Sequence, residues 1–225
     1  MLSYFKLKNI KMLVFDMAGT TVNESGIVYQ TLYSTMKDFG LHVPKDDQKF
    51  WHGADKKEIL DNYLVDNNVM TRPIQQELHT KFFNNLKEQY FESNKIELIH
   101  PKLPELLTTI RENDIKVTLN TGYNREIQNS IIHKLNMTDY ISDYVCSEDV
   151  SRGRPYPYMI YNLMERNDIL NPKQVVKIGD SQKDIFEGIN AGCFSSIGVL
   201  SGIGIKETLR SSDMILDSVM DLDKK

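Results

Sequence analysis

Asp16, Asp180 and Asp184 are the residues of this chain best placed to do chemistry together. Asp16 closes the short apolar run Met12-Leu13-Val14-Phe15, and Gly179-Asp180-Ser181 follows Val175 to Ile178, with Asp184 one helical turn on. Three carboxylates gathered in one place repel each other and call for a compensating cation. Hard oxygen ligands select Mg2+, which takes few protein carboxylates and keeps several waters. The backbone carbonyl of Ala18, just after Asp16, is a further candidate ligand. Two more motifs follow apolar runs. In Asn120-Thr121-Gly122-Tyr123, Thr121 offers a hydroxyl. The amides around Gly122 open a helix that starts near Arg125, a natural oxyanion site. In Arg152-Gly153-Arg154-Pro155, Arg154 offers a permanently charged guanidinium that can fork onto two phosphoryl oxygens. A carboxylate, a divalent metal, a hydroxyl, amides and a cation around one point suit phosphoryl transfer through an aspartyl-phosphate.

Taken singly, each feature has a plainer reading. An Asp at a strand end can cap a helix, Thr-Gly is a common turn, and Arg-Gly-Arg-Pro reads as a solvated loop. What joins them is the pattern of elements. Short apolar runs at Met12–Phe15, Ile115–Leu119, Tyr144–Cys146, Val175–Ile178 and Ile197–Leu200 read as buried parallel strands. Helical stripes lie between them: Ile127, Ile131, Ile132 and Leu135, then Ile160, Leu163 and Met164. Strand and helix alternating in this way predict an α/β fold with a doubly wound, mostly parallel sheet. In such a sheet ligands bind beyond the carboxyl ends of the strands, and all four motifs fall there.

One stretch breaks the rhythm. Residues 24–95 contain no convincing strand, and they are far too long for a strand-to-helix loop. Val28, Leu32, Met36 and Phe39 share a helical face, with Gly40 as a helix stop. Ile59, Leu60, Tyr63 and Leu64 mark a second helix, and Ile74, Leu78, Phe82, Leu86 and Tyr90 a third. The expected organisation is a core of residues 1–23 and 96–225 with a helical cap, 24–95, inserted after the first strand.

Composition excludes several classes. Net charge is −4, so no basic excess points to nucleic acid. The apolar runs are far short of a membrane span. Nothing in Met1–Lys11 reads as a secretory leader. Cys146 and Cys193 lack metal-type spacing and read as two buried, reduced thiols. A cytoplasmic enzyme acting on a small phosphorus-containing molecule is the expectation.

The order of the four motifs resembles the haloacid dehalogenase superfamily over nearly the whole chain, insert included. The resemblance implies a Rossmann-like core with a cap domain and Asp16 as nucleophile. It implies Thr121 and Gly122 as phosphate ligands, Arg154 in place of the usual lysine, and Asp180 with Asp184 as acids holding Mg2+. Asp16-Met17-Ala18-Gly19-Thr20-Thr21-Val22, Thr121-Gly122-Tyr123 and Gly153-Arg154-Pro155-Tyr156-Pro157 are similar to the phosphonoacetaldehyde hydrolase (phosphonatase) branch. That branch uses a cap lysine to form a Schiff base with the substrate aldehyde before the carbon–phosphorus bond breaks. Lys56, in Gly53-Ala54-Asp55-Lys56, stands at the corresponding position.

Phosphatases and mutases of the superfamily carry a second Asp two residues after the nucleophile, where this chain has Ala18. General acid–base help is commonly worth about 10²–10⁴ in rate, and an iminium leaving group would not need it. Ala18 also argues against a phosphomutase. The branch pattern has a histidine three residues after its lysine, and here that position is Ile59. Asp55 and Glu58 flank Lys56 and would favour its charged form. Schiff base, anion anchor and solvated surface lysine are therefore all open for Lys56. His52 and Tyr123 are candidate pocket residues, with cap packing as the alternative for the segment around Trp51. Two other functions are open: a phosphatase of a small phosphate ester lacking the second Asp, and a non-catalytic domain binding a phosphorylated ligand or a protein.

Overall fold

The computed structural model describes residues 2–44, 47, 55–92 and 96–223. A short helix α1 (Leu2–Leu7) leads into the central strand β1 (Met12–Asp16), all five residues of which are buried. β4 (Lys116–Thr121) and β5 (Asp143–Cys146) extend the sheet on one side of β1. β6 (Val175–Gly179), β7 (Ser195–Val199) and β8 (Met214–Leu216) extend it on the other. The order is β5-β4-β1-β6-β7-β8 and every pairing is parallel. The strand order reverses at β1, so the crevice of this sheet opens beyond β1, β4 and β6.

Helices cover both faces. Successive strand residues point to opposite sides, and β1 divides accordingly. Leu13 and Phe15 join an apolar cluster with Leu106, Leu107 and Ile110 of α5 (Leu103–Glu112) and Ile127 and Ile131 of α6 (Arg125–Lys134). Met12 and Val14 join a second cluster with Met159, Ile160 and Leu163 of α7 (Tyr158–Arg166). A final helix, α8 (Gln182–Ala191), packs against β6 and β7. The doubly wound expectation holds. The sequence pattern did not mark β8, an apolar run of only three residues between Asp213 and Asp217.

Two short strands, β2 (Val22–Asn23) and β3 (Glu97–Leu98), pair antiparallel. Between them lie α2 (Ile27–Asp38), α3 (Lys56–Asp66) and α4 (Arg72–Glu92), with no strand among the described residues. Leu32 and Met36, Leu60 and Leu64, and Leu78, Phe82 and Leu86 are fully buried, as their helical spacing requires. α2 ends as expected: Gly40 adopts φ +79°, and the Leu41 amide donates back to the Met36 carbonyl at 3.0 Å. α3 is started by Asp55, whose carboxylate accepts from the Lys57 amide at 2.8 Å and the Glu58 amide at 3.1 Å. That cap fixes where Lys56 emerges.

Candidate active site

Asp16 is the last residue of β1, Thr121 the last of β4, and Asp180 follows the last of β6. Adjacent parallel strands end side by side, so the register alone brings the three together. The turn after Asp16 is tight. The Met17 carbonyl accepts from the amides of Thr20, Thr21 and Val22, and the Thr21 hydroxyl donates to the Asp16 carbonyl at 2.9 Å. Gly19 sits at φ +79°, and a Cβ there would lie 2.5 Å from Asp180 Oδ2. Gly202 comes closer still from the loop after β7, at 2.0 Å for a built Cβ. Two glycines thus cradle the Asp180 carboxylate, which also accepts from the Ile203 amide at 2.9 Å.

Asp184 serves two purposes at once. Its Oδ2 accepts from the Ser181 hydroxyl at 2.5 Å and the Ser181 amide at 3.2 Å, a capping box that starts α8. Its Oδ1 faces Lys177 Nζ at 2.9 Å and Arg154 Nη1 at 3.0 Å. The helix cap thus occupies one oxygen of Asp184 and leaves the other facing the two buried cations.

Arg154 is 4% exposed, so the solvated-loop reading fails. Its Nη1 donates to Asp16 Oδ1 at 2.7 Å, its Nε to Glu187 Oε2 at 3.1 Å, and its Nη2 to the Asn120 carbonyl at 2.9 Å. Lys177 is fully buried and donates to Asn120 Oδ1 at 2.8 Å. Asn120 Nδ2 donates to both Glu187 oxygens at 2.9 Å. Lys177, Glu187 and Asn120 carry no role in the sequence reading. A signal for them exists: Lys177 interrupts a buried apolar strand, and Glu187 lies three residues beyond Asp184, on the same helical face.

The buried charges do not balance. Among the described residues, five buried carboxylates (Asp16, Glu24, Asp180, Asp184 and Glu187) stand against three buried cations (Lys56, Arg154 and Lys177), an excess of two negative charges. The titration behaviour follows. Burial, with Asp16 and Asp184 beside it, pushes Asp180 well above the usual carboxylate range. Burial also raises Asp16, with Asp184 adding to it against Arg154 and Lys177. Asp184 is held low, because Arg154 and Lys177 outweigh its burial. One oxygen from each of Asp16, Asp180 and Asp184 lies within 4.8 Å of the others. Both the donor set and the missing charge fit a divalent cation.

That deficit yields a prediction. Without metal, a folded-state pKa raised above the unfolded value means stability falls as pH rises through that interval towards neutrality. Asp180→Asn removes the charge while keeping an acceptor for Ile203. Near neutral pH the metal-free variant is expected to melt higher than metal-free wild type. It should also lack the Mg2+-dependent rise in melting temperature over an EDTA control that is expected of wild type.

Lys56, on α3, reaches the same place. It lines a cavity of about 20 Å³ together with Asp16, Ala18, Arg154, Asp180 and the Thr121-Gly122-Tyr123 turn. Tyr29 of α2 also lines it, with Lys56 Nζ 5.0 Å from the Tyr29 ring centroid. Such a volume holds about one water. A cavity of about 660 Å³ runs along α6 by Ile131, His133 and Lys134, but none of the four motifs reaches it. Lys56 is 5% exposed, so it is not a solvated surface lysine. Asp55 does favour its charged form, as expected, but burial outweighs it. Burial lowers its pKa to about 8, against the raising effects of Glu24, Asp55 and Asp16. Asp55 spends its carboxylate on capping α3, and Glu58 is not among the main influences. Tyr123 is buried beside the cavity, as expected, while His52 and Trp51 lie outside the described residues. Cys146 and Cys193 are free and buried, with burial pushing their thiols up to about 11 and about 12.

A buried carboxylate, held by an arginine at the switch point of a parallel sheet and flanked by two further acids, marks the candidate active site of this α/β fold. The chain belongs to the haloacid dehalogenase-like hydrolase family, whose model matches residues 13–198. It is similar to the phosphonoacetaldehyde hydrolase of Paraburkholderia phytofirmans, 26% identical over 206 residues, covering 87% of this chain and 77% of that one. It is also similar to the bifunctional phosphonoacetaldehyde hydrolase/aminoethylphosphonate transaminase of Clostridioides difficile, 30% identical over 211 residues. That match covers 87% of this chain but only 32% of the longer protein. Among solved structures, a phosphonoacetaldehyde hydrolase-like protein from Oleispira antarctica superposes with a TM-score of 0.80. It is 19% identical, with 96% of this chain and 90% of that one covered. No helix among the described residues is long and apolar enough to cross a membrane.

Proposed function

We propose that this protein hydrolyses the carbon–phosphorus bond of a small phosphonate aldehyde, phosphonoacetaldehyde being the first candidate. Asp16 is the nucleophile, Lys56 the Schiff-base amine, and residues 24–95 the cap that delivers Lys56. The observation that carries this reading is the buried Lys56, its pKa lowered to about 8, lining one cavity with Asp16 and Ala18. The acid that superfamily phosphatases usually carry is missing where Ala18 stands. An amine that is partly neutral near pH 8 supplies a different way to release the leaving group.

The steps balance as follows. The neutral Lys56 amine attacks the aldehyde carbon, one proton is taken up from solvent and water leaves, giving an iminium. An Asp16 oxygen then attacks phosphorus; the carbon–phosphorus electron pair forms a C=C bond and the C=N pair moves onto nitrogen, leaving an enamine on Lys56. Water cleaves the aspartyl-phosphate to inorganic phosphate. Protonation and hydrolysis of the enamine release the aldehyde product and free Lys56. Arg154, Thr121 and the amides near Gly122 bind and orient the phosphoryl oxygens. Asp16, Asp180, Asp184 and the Ala18 carbonyl would hold Mg2+, which when bound supplies charge compensation between the Asp16 carboxylate and the phosphoryl oxygens.

Borohydride added during turnover of phosphonoacetaldehyde is expected to trap a reduced adduct on Lys56, found by peptide mass spectrometry, with loss of activity. Turnover with no adduct on Lys56 would count against the Schiff-base reading. It would support a phosphatase-like route instead, with acidic leaving groups preferred.

A further inference from the structure

The loop after β7 carries none of the four motifs, yet residues 201–204 lie against two of them. The Ser201 hydroxyl donates to the Gly19 carbonyl at 2.7 Å, and the Ile203 amide donates to Asp180 Oδ2 at 2.9 Å. Gly202 and Gly204 let the loop backbone come this close. A Cβ on Gly202 would lie 2.0 Å from Asp180 Oδ2. One on Gly204 would lie 2.2 Å from the Asp180 carbonyl oxygen and 2.8 Å from a methyl of the fully buried Leu209. Neither glycine has the left-handed φ of Gly19, so space alone excludes a side chain there. The loop is itself held at both ends. The Leu200 amide donates to the Leu216 carbonyl of β8 at 2.9 Å. On the far side the Ile205 amide donates to the Thr208 hydroxyl at 3.1 Å, and the Leu209 amide to the Ile205 carbonyl at 3.1 Å.

Two of the groups that would hold Mg2+ are therefore supported from behind. Asp180 is engaged at Oδ2, which leaves its other oxygen to the site. Ala18, whose carbonyl is the backbone ligand candidate, lines the cavity and is joined directly to Gly19. The Ser201 bond fixes the next carbonyl in that turn and so the direction in which the turn faces. Partners behind metal ligands orient them and tune metal affinity. We infer that residues 201–204 form a positioning clamp for the metal site. Ser201 holds the Ala18-Gly19 turn, Ile203 holds Asp180, and Gly202 and Gly204 permit the close approach that both bonds need. None of the four lines the cavity, so the clamp acts through Asp180 and the turn. It also gives the edge strand β8 a purpose, as the anchor of the loop at Leu200. The inference rests on the proposed function only in taking Asp180 and the Ala18 carbonyl as Mg2+ ligands.

Mg2+ alone is the probe, and no substrate is needed. Calorimetric titration of Mg2+ into protein stripped with EDTA and then exchanged out of it reads the affinity directly. Ser201→Ala removes one hydrogen bond and leaves every proposed ligand in place. Gly202→Ala adds a methyl that must push Asp180 aside. The Kd for Mg2+ is expected to rise about tenfold in the first and about 100-fold in the second, the span that partners behind metal ligands usually carry. Ser201→Thr restores the hydroxyl and should bring Kd back towards wild type. Lys206→Ala, an exposed position just past the clamp, should not move it. A loop that only stabilised the fold would lower the melting temperature of the metal-free protein and leave Kd unchanged in the folded variants. If Gly202→Ala does not fold, the two Ser201 variants decide alone. An unchanged Kd in folded Ser201→Ala overturns the inference, as does a wild type that binds no Mg2+. A wild type that binds Mg2+ but leaves phosphonoacetaldehyde intact overturns the proposed function, and the comparison of Kd values still stands.

Discussion

Asp16→Asn is expected to lower turnover of any substrate by about 10⁴-fold or more, in the range seen when an enzyme loses its nucleophile. The amide is nearly isosteric with the carboxylate, and its oxygen can still accept from Arg154 Nη1, which now donates at 2.7 Å. The loss should therefore fall on chemistry and not on folding. Burial raises the pKa of Asp16, so its charge is a burden on the fold that only Arg154, Lys177 and a bound cation offset. Replacing it by a neutral group should leave the metal-free protein at least as stable as wild type in a thermal melt. Steady-state kinetics together with that melt check the prediction. A variant that keeps near-normal turnover would mean that Asp16 is not the nucleophile. Unchanged biological activity with no turnover in wild type would instead point to the non-catalytic binding domain.

Much of this arrangement was legible before any coordinates, for a definite physical reason. Parallel strands are buried on both faces, so Met12–Phe15 and Val175–Ile178 read as apolar runs, and the residues closing them must stand at the sheet edge. Asp16, Thr121 and Asp180 were therefore readable as neighbours. The helices of the insert were readable because Leu32, Leu60, Leu78 and Phe82 keep a helical period. What stayed hidden were residues whose role depends on partners far along the chain. Lys177 counts as a break in a strand until Asp184, Glu187 and Asn120 are seen around it. Glu24 is an ordinary loop acid until Tyr123, 99 residues away, donates to it. For Lys56 the sequence shows one spatial partner, Asp55, but not its enclosure. Burial, which no local window shows, governs its titration.

Lys56→Arg is expected to separate the two readings of the site that remain. Arginine keeps a positive charge for binding an anion but stays protonated at any usable pH and does not form a Schiff base. If Lys56 is the amine that attacks the aldehyde, phosphonoacetaldehyde hydrolysis should fall by about 10³-fold or more, beyond what losing a single electrostatic stabiliser usually costs. A phosphate ester with an acidic leaving group, which needs no iminium, should lose at most about tenfold. If Lys56 only anchors the distal end of an anionic substrate, the arginine variant should retain much of both activities, and Lys56→Met should depress both together. The pH profile gives an independent reading on wild type. Attack requires the neutral amine, so kcat/KM for the aldehyde should rise with pH and level off above about 8, where burial has placed the Lys56 pKa. An anion anchor predicts the opposite slope over the same interval, because it works as the ammonium. The two slopes differ in sign at one residue, so a single pH series on the aldehyde decides whether the missing acid at Ala18 was replaced or simply not needed.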